Sequence, residues 1–99
     1  MTKKAAMPKR PKRAVIPAGV KTLDAVYDIL ARDLALPAHF GRNLDALYDA
    51  LTGDVAGPVE IVVENAAALE TALGAKGRAL LKLLRDADKA RGDLRFRSR

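Results

Sequence analysis

The sequence predicts an α/β fold of two layers, with a three-stranded parallel sheet and about four helices. Three observations predict it. Three β-like runs, near residues 14, 59 and 94, are separated by segments with helical periodicity. Strands joined through helical crossovers pair in parallel, and such crossovers are right-handed. A chain of 99 residues that must house three strands and about four helices has room for two layers rather than three.

Residues 1–13 contain Pro8 and Pro11, six cations and no acid, aromatic or branched aliphatic residue. They can bury little and read as a basic, disordered tail, which leaves residues 14–99 as one domain. Ala14-Val15-Ile16 is a short strand ended by Pro17-Ala18-Gly19. Thr22 can cap a helix beginning at Leu23, with Asp24 in its first turn. Leu23, Val26, Tyr27, Leu30 and Leu34 form its apolar stripe, and Pro37 is the expected stop. Asn43 is a favoured N-cap for the next helix, in which Leu44, Leu47, Tyr48 and Leu51 share one face. Gly53 is the expected left-handed residue just past its end. After Gly57-Pro58, the run Val59–Glu64 is the strongest strand, and its Ile61-Val62-Val63 centre predicts a middle strand buried on both faces. Asn65 can cap an Ala-rich helix over Ala66–Leu73, closed by Gly74. A longer helix follows from about Lys76 to Ala90, with Leu80, Leu83, Leu84 and Ala87 inward. Gly92 ends it, and Leu94–Arg99 alternates as a last strand with its arginines on one face.

The formal charge of +6 is unevenly placed. Residues 1–13 contribute +6, residues 91–99 contribute +3, and residues 14–90 hold eight cations against eleven acids. The body is therefore mildly acidic between basic ends. With no cysteine, disulfides, thiolate metal ligands and a Cys nucleophile are excluded. No stretch approaches the roughly 18 apolar residues of a membrane span. The apolar run after the basic start is too short for a signal peptide, so a cytoplasmic protein without membrane contact is expected.

Little in the sequence suggests an enzyme or a cofactor. His39 is the one histidine, Ser98 the one serine, and no phosphate-binding glycine loop is present. Asp45 and Asp49 stand four residues apart on one side of the same helix, where like charges cost a few tenths of a kcal/mol. An acid/base couple, a metal site drawn from His39, Asp45, Asp49 and Asp54, and a plain solvated face are the readings that spacing leaves open. The basic tail admits a solubilising arm or a weak, salt-dependent nucleic-acid contact. The arginines of the last strand admit protection of a sheet edge or a share in that contact.

The segment Leu34–Gly53, LALPAHFGRNLDALYDALTG, resembles the signature of the barstar family, whose pattern is close to L-A-L-P-x-[aromatic]-[aromatic]-G-x-N-L-D-A-L-[aromatic]-D-x-L-T-G. Within that pattern only the first aromatic position departs, being His39. The element order agrees over residues 14–99. The resemblance implies the two-layer fold described above, a cis Gly57–Pro58 bond, and an inhibitor of a microbial ribonuclease that acts inside the cell and is a monomer when free. It further implies that the helix bearing Asp45 and Asp49, with the loop before it, plugs the nuclease site. Asp49 matches the aspartate that occupies the enzyme's phosphate site, and Asp45 its acidic companion. Asn43 and Gly53 belong to the matched surface, and Leu83 and Asp86 match contact positions at its rim. Besides His39, the family's two tryptophans at this face are Tyr48 and Asp54 here, which gives less aromatic area and one more carboxylate. The alternative reading is a small nucleic-acid-associated protein that binds through its basic tail and last strand.

Overall fold

The computed structural model describes residues 11–99. Three strands, β1 (Lys12–Ile16), β2 (Val59–Val63) and β3 (Leu94–Ser98), form one parallel sheet in the order β1-β2-β3. Four α-helices complete the described chain: α1 (Leu23–Asp33), α2 (Leu44–Asp49), α3 (Ala66–Leu73) and α4 (Ala75–Ala90). The two-layer α/β architecture expected from the sequence is the one observed. The expected basic tail lies, up to residue 10, outside the described residues. No helix among the described residues is long and apolar enough to cross a membrane.

Alternation along the strands divides the sheet into two unlike faces. Ala14, Ile16, Val59, Ile61, Val63 and Leu94 point into the core with Val26 and Leu30 of α1 and Leu34 at its C-cap, Leu47 and Leu51 of the α2 segment, Leu69 of α3, and Leu80, Leu81, Leu84 and Ala87 of α4. The opposite face carries Arg13, Val15, Glu60, Val62, Arg95 and Arg97. Val62 is only 1% exposed, as expected for a central strand, yet it belongs to the uncovered face and not to the core cluster. Its register neighbours Val15 and Arg97 flank it in place of a second helical layer.

Several boundaries differ from the sequence expectation for local reasons. Strand β1 begins at Lys12, not Ala14. The Lys12 N–H donates to Pro58 O at 2.9 Å, and the Arg13 side chain pairs with Glu60 at 3.1 Å. Helix α1 starts at its expected Thr22 cap, whose Oγ1 accepts from the Ala25 N–H, but it ends before Pro37 can act. Ala35 turns left-handed at φ 55°, and the Leu36 N–H reaches back to Ala31 O at 3.1 Å. This closure satisfies the last carbonyls of the helix, with alanine at a position that glycine normally takes. Gly74 shows the usual choice: at φ 63° it lets the chain turn directly from α3 into α4.

The second helix does not stop at a left-handed Gly53. From Ala50 to Asp54 it widens into a π turn, closed by the Val55 N–H donating to Ala50 O at 2.9 Å. Thr52 Oγ1 donates to Tyr48 O at 2.7 Å and competes with the regular ladder there. Gly53 therefore keeps a φ outside the positive range. In α4, Leu81 is buried while Leu83 is half-buried at the surface, so the expected inward set shifts by one side chain. The Gly57–Pro58 bond is cis, as the resemblance implied.

Replacing Ala35 by glycine relieves the left-handed penalty while adding freedom to the unfolded chain. Ala35→Gly is expected to raise stability by about 0.5–1 kcal/mol, or about 2–8 °C in Tm, in thermal unfolding followed by circular dichroism. An unchanged or lower Tm would show that the C-terminal closure of α1 bears no strain.

Candidate functional site

The elements that carry the candidate residues are fixed from both ends. At the start of α2, Asn43 Oδ1 accepts from the Ala46 N–H at 2.7 Å. The preceding loop is held onto α1 by Arg42, a residue the sequence reading passed over. Its Nη2 lies 2.6 Å from Asp24 Oδ1 and 2.9 Å from Asp28 Oδ1, and its guanidinium stands 5.8 Å from the centre of the Tyr27 ring. These hydrogen bonds to Asp24 and then Asp28 push the Arg42 pKa further up. Phe40 meets Tyr27 edge to face at 5.5 Å, and burial pushes the Tyr27 phenol up. Like Ala35, Arg42 is left-handed, at φ 53°, so the loop before α2 contains two non-glycine residues held in an uncommon conformation.

At the far end, Arg91 performs the corresponding task. Its Nη1 donates to Leu51 O at 2.9 Å, inside the π turn, and to Val55 O at 2.7 Å, just past it. Its Nε and Nη2 donate to the two oxygens of Asp93 at 2.8 and 2.9 Å. The Arg91 side chain is 15% exposed. Hydrogen bonding from Arg91 holds the Asp93 carboxyl below its ordinary range. Gly57 is part of this arrangement, because a side chain there would run into Asp93 and Arg91.

Between these anchors the candidate residues form two adjoining concavities. An open groove of about 580 Å³ between α2 and α4 is lined by Leu44, Asp45, Tyr48, Asp49, Ala79, Lys82, Leu83 and Asp86. A smaller one of about 230 Å³ brings His39 and Phe40 of the loop together with Asp49 and, across the π turn, Asp54. Of the residues selected from the sequence, Asp45, Tyr48, Asp49, Leu83 and Asp86 share the groove, and His39, Asp49 and Asp54 share its neighbour. Asn43 contributes through its cap, and Gly53 is exposed within the π turn without lining either concavity. The half-exposed position of Leu83 places an apolar side chain at the groove and not in the core.

The electrostatics of the face are unbalanced. Asp86 is paired with Lys82 at 2.9 Å. Among the described residues, no cation lies within ion-pair distance of Asp45, Asp49 or Asp54. Asp45, in the first turn of α2, gains from the helix dipole. Asp49, at the last α-helical position, opposes that dipole and faces Asp45 one turn away. Folding alone gives no reason for a carboxylate there. Within the described residues, no three of the His, Asp and Glu side chains converge as metal ligands.

The sequence model of one family, described as Barstar (barnase inhibitor), matches residues 13–98. No curated protein matches the chain.

The anchoring by Arg91 has two measurable consequences. Arg91→Ala strands two carbonyls and a carboxylate, with an expected loss of about 2 kcal/mol in urea unfolding and faster hydrogen exchange at the Val55 amide. Lysine at 91, a point charge without the planar fork, is expected to recover less than half of that loss. Because the folded value of Asp93 is depressed, its contribution is fully present above the unfolded carboxylate value near pH 4 and is lost as pH falls through the folded one. The carboxylate is exposed and screened, so Asp93→Asn should remove only a small part of the acid dependence of Tm.

Proposed function

Because this chain belongs to the barstar family, we propose that it is an intracellular inhibitor of a microbial ribonuclease, and that it blocks the enzyme's active site with the acidic face formed by α2, the loop before it and the groove-facing side of α4. One observation carries this reading: Asp49 and its neighbours Asp45 and Asp54 are exposed carboxylates without an ion-pair partner among the described residues, on an element anchored at both ends. A ribonuclease cleft is built from cations that bind phosphate. Carboxylates on a rigid support present the charges of substrate without its flexibility, and rigidity lowers the ordering cost of association. Tyr48 and Leu83 supply apolar contact beside them, and Lys82 restrains the Asp86 carboxylate at the rim.

The chain acts in this reading by occlusion, as a binding protein and not as an enzyme, with a small toxin-like or secreted-type nuclease as partner. His39 stands where the family pattern has an aromatic residue, and Asp54 adds a fourth carboxylate next to Asp49. The partner surface facing this end of the site is accordingly more cationic and less aromatic than one that meets the family pattern.

The test is titration of the protein into a panel of purified microbial ribonucleases while RNA cleavage is followed. Stoichiometric inhibition of at least one of them is expected. Asp49→Ala, which leaves a partner cation buried without its anion, is expected to weaken binding by about 3 kcal/mol, roughly 100-fold in Kd, while thermal unfolding stays within about 0.5 kcal/mol of the parent or improves. Undiminished inhibition by Asp49→Ala would overturn the mechanism.

A further inference from the structure

The face of the sheet turned away from the helices is chemically the reverse of the acidic face. Arg13 and Arg97 have side chains 54% and 62% exposed, and Arg95 is exposed as well. The only acid in their rows is Glu60, at the centre of the sheet, which lies 3.1 Å from Arg13 Nε and 3.6 Å from Arg97 Nε. Arg95 has no ion-pair partner among the described residues. No helix among the described residues packs on this face.

We propose that this face binds single-stranded nucleic acid by its phosphodiester backbone, with Arg13, Arg95 and Arg97 as the contacting groups. Arg13, Glu60 and Arg95 occupy one rung of the sheet, so the two arginines stand about 10 Å apart across it. Arg97 follows Arg95 two residues along β3, about 6.6 Å further on, and Arg99 continues the alternation. A line of guanidiniums at that step suits an extended polyanion, and each planar fork can bind two phosphate oxygens at once.

The chemistry of the face selects this occupant over others. A protein partner needs apolar anchors, but Val62 is 1% exposed, Val15 is half-buried and, among the described residues, no aromatic side chain lies on this side. Backbone phosphates need no such anchor. The flat sheet offers no protruding element to enter a duplex groove. The chain's own N-terminal segment carries Lys3, Lys4, Lys9 and Arg10 without an acid, so it shares the sign of the face and reinforces attraction to a polyanion. Without aromatic stacking, binding is weak, indifferent to base sequence and steeply salt-dependent.

The experiment is fluorescence anisotropy of the full-length chain with labelled oligo-U, oligo-dT and a duplex of equal length, from 25 to 200 mM KCl. Both single strands are expected to bind, more tightly than the duplex, with log K falling linearly in log salt. Substituting Arg13, Arg95 and Arg97 together by alanine is expected to weaken binding at least tenfold at low salt and to flatten the slope by about 2, since each single-strand phosphate contact contributes about 0.7. Glu60→Gln, which removes the competing carboxylate, is expected to tighten binding, and it keeps the test intact should the triple variant unfold. Asp49→Ala is expected to bind as the parent does, which separates this surface from the inhibitory one. Absence of binding at 25 mM KCl, equal binding of the duplex, or a folded triple variant with unchanged affinity and slope would each overturn the proposal. So would salt-sensitive dimerisation in sedimentation velocity that the triple variant abolishes while the oligonucleotides fail to bind. That result would assign the face to the acidic side of a second copy.

Discussion

The placement of the acidic helix depends on one guanidinium. Arg91 sits just past the C-terminal end of α4, yet its hydrogen bonds reach Leu51 within the π turn, Val55 just past it and Asp93 at the entrance to β3. Asp93 in turn accepts the Val59 N–H through its backbone carbonyl at 2.8 Å, so the same cluster fixes where the central strand begins. The turn it stabilises is irregular, with carbonyls displaced from the normal helical ladder, and a planar donor fork can satisfy two of them together with a carboxylate. Through this contact the end of α2, the start of β2 and the start of β3 become one rigid corner. The opposite end of α2 is held by the Arg42 contacts to Asp24 and Asp28. The carboxylates between these anchors have fixed positions although they are exposed.

Fixed position matters more here than the number of charges. The total charge is +6, yet the candidate face is anionic and the far side of the sheet cationic. Arginine and aspartate serve two purposes in the same chain. Arg42, Arg91, Asp24 and Asp93 are spent on one another and hold the scaffold. Asp45, Asp49, Asp54 and Arg95 have no ion-pair partner among the described residues and are among the charges left available to other molecules. A surface charge left unneutralised on an anchored element is a more informative sign of binding than net charge or local density.

The π turn also explains how Asp54 joins the site. In a regular helix ended by a left-handed Gly53, the chain would leave the helix before Asp54. The widened turn instead carries Asp54 to the concavity shared by His39 and Asp49. Two of the three departures from the family, His39 and Asp54, thus fall together at one end of the face, while the third, Tyr48, lines the groove with Leu83 at the other end.

Much of this was legible in the residues themselves. Caps at Thr22, Asn43 and Asn65, the stripes of α1 and α2, and the unbroken Ile61-Val62-Val63 run are local signals, because a cap or a periodicity depends on residues within a turn or two of one another. They determined the element order, the parallel sheet and the grouping of Asp45 with Asp49. Apart from the local Arg91–Asp93 pair, the contacts of Arg42 and Arg91 were not legible, since those partners lie 14 to 40 residues away and nothing local distinguishes the two from solvated arginines. The π turn, the left-handed Ala35 and the early start of β1 escaped for the same reason: each is imposed by packing and hydrogen bonding from elsewhere against the local preference. Local residue patterns dictate which elements form and which charges they carry. Which of those charges neutralise one another and which remain exposed is settled by long-range folding, because an ion pair is a property of distance in space and not of separation along the chain.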